Sequence, residues 1–461
     1  METKSLFPTF EKIYRRIPAS FFEVCGFALL ELMIGLLLIS QFTVLLWRED
    51  RHGNLFFATG ILLVLFALLY IGFCLLRGDD KRGSSRLLVT DIAFFFFLVW
   101  CGISVAFSPN PAYSFWGSVY RKEGFITYLI YAAVLISARA VHSPRYQRIL
   151  LWSLGGVGCL LSAFTFIASE PTWKWILADC GIFLGWEMIA EYNSVFFNLN
   201  HLAYFLTMAI PALAGMFLFG KRTGQKLLAL FLFTFAAVVL MRNNTLGCIL
   251  AVAFSLVFLC ILLFLYDRKL VRWGIILLMI DVLVVLTVPR VNATISGDFQ
   301  EIYDALNHSA ETVTNTSVRL QMWQQSLQQI AKTPIFGVGL EGGGSITFWG
   351  GNDRPHNEYI QYTLFTGIPG GLAYLTALIS LFVCCMRKLK KLPVEALTLG
   401  TMVFGYAASA FVGNSMYYTT VYFAAVLGLL MGAVQSVGQD PGCGKLVGKR
   451  CRRGESVLSK K

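Results

Sequence analysis

The sequence predicts an all-α polytopic membrane protein. Three observations predict it. The 461 residues are 56% hydrophobic, with a mean hydropathy of +0.65. Only 14% of them are charged, against about 25% in soluble domains. The apolar residues fall into repeated runs of about 20, the length that crosses a hydrocarbon core. Those runs override the two or three soluble domains that the length would allow.

About twelve runs are candidate spans: 21–47, 54–76, 87–107, 124–140, 149–168, 201–220, 227–241, 246–266, 274–289, 365–386, 396–414 and 420–437. The seventh is short. The first is about twice too long for the apolar core of a signal peptide, and no small-residue cleavage site follows it. Most of the 11 cysteines lie inside such runs, as Cys25, Cys74, Cys159 and Cys260 do. Cys180 alone falls clearly in a large polar loop, so no disulfide framework is implied.

Lysine and arginine settle the expected orientation. With the N-terminus cytoplasmic, most of the 38 basic residues fall in the inner segments: the tail 1–20, 77–86, 139–148, 221–226, 268–272, 387–391 and the tail 438–461. That is the positive-inside pattern, and it accounts for most of the +12 net charge. The basic C-terminal tail reads as an anchor near anionic lipid heads rather than a nucleic-acid site. The predicted organisation is a cytoplasmic tail (1–20), spans one to nine (21–289), one large extracytoplasmic loop (290–364), spans ten to twelve (365–437) and a basic cytoplasmic tail (438–461).

The outer segments then hold the candidates for chemistry. The first, 108–123, carries two prolines and Arg121. Trp116, Tyr120 and Arg121 suit an interfacial anchor, and Arg121 also suits an anionic lipid headgroup. The second, 169–200, carries Trp173, Trp175 and Trp186 and ends at Asn198, Asn200 and His201. Asn200 is a natural cap for the span that follows, and Pro211 within that span frees a carbonyl. His201 has no second ligand at metal-binding spacing. Arg242 stands in the short turn 242–245. Glu31, Asp91 and Asp281 lie inside spans, where acids are costly and become functional candidates.

In the large loop, residues 317–331 have helical periodicity. Leu320, Trp323, Leu327 and Ile330 form one apolar stripe, Thr316 or Ser317 caps the start, and Pro334 stops the end. Arg319 lies beside that stripe, a permanently charged planar fork suited to phosphate. The GVGLEGGG run that follows has glycines, Gly337 and Gly339 among them, whose amides could cradle an anion. The sequons at Asn292, Asn307 and Asn315 read as chance matches. His356 and Asn357 open the returning helix, and a neutral imidazole can take a proton from a hydroxyl.

Order and spacing carry a resemblance. His356-Asn357, nine residues, then Gly367-Ile368-Pro369-Gly370 resembles the H-N-x9-G-x-x-G signature of the O-antigen ligase family, which includes O-antigen polymerases and bacterial O-oligosaccharyltransferases. The upstream R-x-x-x-W (Arg319, Trp323) and P-x-x-G-x-G (Pro334, Gly337, Gly339) are similar to its lead-in. FFNLNHLAYFLTMAIP (196–211) resembles an earlier family segment, and Gly117, Arg121 and Gly124 its early basic loop. The Ser-Arg pair that often opens the family's span near 245 is replaced by NNTLG, with Arg242 three residues before Thr245.

The resemblance implies a fold like the membrane glycosyltransferase C class. It also implies transfer of a glycan from an undecaprenyl (di)phosphate donor to a glycan, lipid or protein hydroxyl, outside the cytoplasmic membrane, with membrane lipids as partners and no nucleic acid. On that reading His356 prepares the acceptor hydroxyl. Arg319 neutralises the leaving phosphate, with Arg121 and Arg242, while Asn357, Asn198, Asn200, His201, Gly337 and Gly339 bind substrate. No D-x-D triplet occurs, which argues against a metal-chelating nucleotide-sugar enzyme; neither metal nor cofactor is implied. A repeat-unit polymerase of the same superfamily and a lipid-linked glycan flippase remain as alternatives.

Overall fold

A computed structural model describes residues 17–47, 51–77, 89–119, 121–169, 194–196, 198–288, 315–342 and 354–437. Tyr120, the three tryptophans and Cys180 of the second loop, the sequons at Asn292 and Asn307, and both tails lie outside the described residues. Fourteen α-helices are described, and no strand occurs among those residues. They are α1 (Ala19–Trp47), α2 (His52–Arg77), α3 (Val89–Ala106), α4 (Pro111–Trp116), α5 (Phe125–Arg139), α6 (Pro144–Ser169) and α7 (Leu199–Phe219). They continue with α8 (Thr223–Asn243), α9 (Leu246–Tyr266), α10 (Val271–Thr287), α11 (Asn315–Lys332), α12 (Glu358–Lys388), α13 (Val394–Ser409) and α14 (Thr420–Ser436).

The protein is an all-helical, multi-pass membrane protein. Each predicted span falls on a helix, but nine helices among the described residues are long and apolar enough to cross a membrane. The other three, α5, α13 and α14, have 15, 16 and 17 residues. At 1.5 Å per residue they rise about 23–26 Å, short of a ~30 Å core. The short seventh run lies on the 21-residue α8. Its polar ends extend the helix beyond the apolar stretch.

α7 is the axis of the bundle. Every residue from His201 to Leu218 is buried, and it packs against α6, α8, α9 and α13. A helix apolar all round belongs at such a centre. It continues through Pro211. The ring removes the donor for the Thr207 carbonyl four residues back. That carbonyl faces Gly405 of α13 so closely that a Cβ there would lie 2.7 Å from it. Small residues set other approaches in the same way, since association within a bilayer rests on close packing. A Cβ on Gly155 of α6 would meet Leu213, and one on Gly158 would meet Ala209.

The connections segregate to two ends, as alternating crossings require. At one end Arg139 pairs with Asp91 at 2.6 Å, Arg148 pairs with Glu395, and Lys388 Nζ donates to the Val434 carbonyl at 2.8 Å. At the other end the segments 106–125, 198–201, 243–246, 354–358 and 409–420 converge. Of the three acids predicted inside spans, Asp91 has its arginine and Glu31 meets Ser153. Asp281 is fully buried, and neither carboxylate oxygen has a hydrogen-bond partner among the described residues.

Gly405→Ala is expected to destabilise the protein by about 1–3 kcal/mol through overpacking against α7. Gly400→Ala on the same helix meets nothing within 4 Å and is expected to be neutral. Melting curves of the two variants in one detergent check this.

Candidate active site

The site is built on a broken helix. Asn357 caps α12, its Oδ1 accepting the Ile360 amide at 3.0 Å. The helix then runs to Thr366 and breaks at Gly367, with φ 73° and ψ 177°. Glycine enters that region without penalty, and Pro369 suits the first turn of the resumed helix. A break strands carbonyls that a membrane cannot solvate. Here the P-x-x-G-x-G segment takes them. Val338 N donates to Leu364 O and Gly339 N to Phe365 O, both at 3.0 Å, while Ile368 N donates to Pro334 O at 2.8 Å. From α3, Ser104 Oγ donates to Phe365 O at 2.7 Å and the Trp100 indole to Thr366 O at 2.8 Å.

This corrects the reading of Gly337 and Gly339 as an anion cradle. Both have positive φ, 68° and 85°. The Gly337 amide bonds to Thr333 O at 3.1 Å, and those of Val338 and Gly339 to α12. A Cβ on Gly337 would lie 2.5 Å from the Leu364 carbonyl. The glycines splint the broken helix, and their amides are spent inside the fold.

Beyond the splint, Glu341 reaches Arg354, which is 1% exposed. Arg354 Nη1 donates to Glu123 Oε2 at 3.0 Å and to the Ser415 carbonyl at 2.6 Å, and Nη2 donates to Glu341 Oε1 at 3.3 Å. Two buried carboxylates share one guanidinium, so further donors are needed. Ser118 N and Glu123 N donate to Glu341 at 2.5 and 2.6 Å. Tyr131 Oη donates to Glu123 at 2.5 Å, and Ser415 Oγ at 2.7 Å. Glu341 thus cinches the loop 118–123. Gly117 (φ 82°) and Gly124 bring its two ends into backbone contact that leaves no room for a Cβ. Arg121 is carried on this pinched loop, half-buried.

Arg354 leads through Pro355 to His356, which sits at φ 51°, a conformation that costs a non-glycine residue of order 1–3 kcal/mol. Its neighbours fix it from both sides. The Trp323 indole of α11 donates to Pro355 O at 2.7 Å, and Glu358 N donates to Ala410 O at 2.8 Å. His356 Nδ1 lies 3.2 Å from the Asn414 side-chain amide. A half-turn of that amide lets it accept from Nδ1–H, the tautomer that leaves the Nε2 lone pair available.

The other predicted residues divide. His201 is buried, Nδ1 lacks a hydrogen-bond partner among the described residues, and Arg121, Arg354 and His356 all lie within its electrostatic reach. The charge of Arg319 acts on Tyr204 of α7 and Cys248 of α9. Tyr204 Oη donates to Val412 O at 3.1 Å, two residues before Asn414. His201 and Arg121 are thus grouped with His356, while Arg319 acts on the neighbouring residues Tyr204 and Cys248. Asn198, rather than Asn200, caps α7, accepting the Asn200 amide at 2.9 Å; the Asn200 side chain accepts from Thr245 at 3.3 Å. Asn357, expected to bind substrate, spends its side-chain oxygen on its cap. Arg242 is engaged elsewhere, its guanidinium 5.0 Å from the centre of the Phe166 ring of α6.

α11 spans Asn315–Lys332, as its periodicity predicts, but its buried face is different. Met322, Ser326 and Ile330 are buried beside Trp323, while Leu320 and Leu327 of the predicted stripe are 39% and 57% exposed. An apolar side chain on a helix at a membrane edge can face lipid as readily as protein.

Sequence reasoning missed Glu123, Glu341, Arg354, Asn414 and Ser415. The one local signal was a polar Asn-Ser pair interrupting the apolar run between the last two spans.

The architecture is that of a polytopic helical protein whose polar chemistry is concentrated around a braced histidine loop at one end of the bundle. Residues 229–375 match the family model described as O-antigen ligase. The match takes in Arg319, the glycine splint, His356 and the helix break; Arg121, Asn198 and His201 precede it. No curated protein matches the chain. The match suggests a membrane glycosyltransferase of the ligase and polymerase type.

Arg354→Ala would leave two carboxylates buried around an empty space, at a cost of about 3–5 kcal/mol. A lowered melting temperature is expected, together with new tryptic cleavage in the 118–123 loop, where Arg121 and Lys122 supply the sites. An unchanged digestion pattern would mean that Arg354 does not hold that loop.

Proposed function

We propose that the protein is a glycan ligase. It moves a glycan from an undecaprenyl diphosphate type of donor to an acceptor hydroxyl on a glycan, lipid or protein. The site faces the outside of the cytoplasmic membrane, with the large loop 290–364 outside and both tails, 1–20 and 438–461, in the cytoplasm. The observation that carries this reading is His356, held between Asn414 and two arginine-bearing segments.

The chemistry follows from the charges. The acceptor oxygen attacks the anomeric carbon as the bond to the lipid phosphate breaks. The hydroxyl proton passes to His356 Nε2, and negative charge develops on the departing phosphate oxygen. Arg319 and Arg121 neutralise that charge where it forms. No metal is needed for this balance. His201, Asn200 and Asn198 line the approach at the head of α7, while Arg242, turned onto the Phe166 ring of α6, takes no part in holding the donor. The broken helix and splint keep the imidazole fixed while large substrates exchange.

Proteoliposomes given a lipid-linked glycan and acceptor test the proposal. His356→Ala is expected to lower transfer by about 10²–10⁴-fold, the range of a general base, and Arg319→Ala by about 10²–10³-fold, the range of one charge-stabilising donor. Donor binding should survive in the histidine variant. Full transfer by His356→Ala would remove the assigned base. A ladder of lengthened glycans, in place of one product of fixed glycan length, would make the enzyme a repeat-unit polymerase. In intact cells, Val119→Cys, 93% exposed, should react with an impermeant thiol reagent; labelling only after lysis would invert the orientation.

A further inference from the structure

Away from the histidine, a cavity of about 490 Å³ lies among α2, α3, α5, α12 and α14. Its walls are aromatic and aliphatic, with Phe94, Leu98, Leu135 and Phe423 among them. Ile71, Leu75 and Phe95 line it too and are exposed on the outer surface of the bundle. The cavity therefore opens sideways, between α2 and α3, where lipid chains would pass.

Its two ends differ in chemistry. Toward the active site it is closed by Tyr128, Tyr131 and Tyr362, and Tyr131 donates to Glu123 behind them. Toward the opposite end it reaches the Arg139–Asp91 pair. Arg139 Nε donates to Gln435 at 3.1 Å, and one amino group, Nη2, has no acceptor among the described residues. Along α5 the cavity extends from Tyr128 to Arg139. Eleven steps of 1.5 Å make about 16 Å, close to half of a ~30 Å core, the depth of the acyl chains of one leaflet.

We propose that this cleft holds an acyl chain of a membrane phospholipid, with the phosphate at Arg139 and the chain end against the tyrosines. The occupant enters from the leaflet at the Arg139 end. The polar end of the cleft lies across the bundle from Arg121, Arg319 and His356, and the Tyr131–Glu123–Arg354 layer stands between. A glycan donor with its phosphate in the active site does not fit this arrangement; a resident phospholipid does. Its chain braces the tyrosine layer from behind. The inference is independent of the proposed transfer reaction.

Nanodiscs containing a phosphatidylethanolamine with a photoreactive group on its acyl chain test it. Irradiation is expected to label 91–98 and 128–139 above the lipid-facing surface of α9. Arg139→Gln should lower that labelling roughly tenfold, the loss of one charge-assisted contact. Should that variant not fold, Ala132→Trp, which fills the cleft, should abolish the labelling without touching the ion pair. Added undecaprenyl phosphate should not compete. Labelling no stronger than on α9, or labelling removed by undecaprenyl phosphate, would overturn the assignment.

Discussion

The buried guanidinium of Arg354 between Glu123 and Glu341 is the constraint on which the rest depends. Burying three charges is costly, and one cation does not balance two carboxylates. The arrangement holds because amides and hydroxyls supply the remaining donors. Those donors come from three loops that are remote in sequence: 118–123, 341 and 354, and 415. Each loop is thereby fixed relative to the others. Since His356 is two residues from Arg354 and Arg121 is two residues from Glu123, the brace sets the distance between base and cation. A hydrophobic replacement of the brace would fold two of these loops more cheaply but would not fix their register.

The family signature has a geometric meaning here. Asn357 starts α12 and Gly367 stops its first segment, so the nine residues between them are a half-helix of two and a half turns. That length places the cap beside the histidine and the break beside the α3 side chains of Trp100 and Ser104. The break needs donors, and the preceding P-x-x-G-x-G segment provides them. Two motifs that read as separate in sequence are thus one hydrogen-bonded unit. The glycines are required for close approach of backbone to backbone, and their role as ligand contacts gives way to that structural demand.

The helices were legible because apolar runs and bilayer thickness share one length scale, and His356 was legible because its spacing to the glycines is fixed by that half-helix. The brace was not. Glu123 and Arg354 are 231 positions apart, and nothing local in either segment announces the partner. Asn414 was hidden for the same reason, inside what read as the end of a span. The cap at Asn198 was displaced from Asn200 because either asparagine suits a cap and only the backbone entering α7 decides. The count of crossings rests on α5, α13 and α14, whose lengths fall short of a full core although each packs firmly within the bundle.

The misread face of α11 bears on how the cation is aimed. On a helix, Arg319, Trp323, Ser326 and Ile330 share one side, at steps of four, three and four residues. That side is the one turned toward the protein, where α11 packs against α12 and the charge of Arg319 acts on Tyr204 of α7 and Cys248 of α9. Leu320 and Leu327 lie about a quarter-turn round and point outward. A helix with leucines outside and arginine inside is at home in the plane of the membrane surface, with acyl chains on one side and protein on the other. On the proposed reading, this orientation aims the guanidinium at the level where a lipid phosphate rests, and keeps the leucines from drawing α11 away into water.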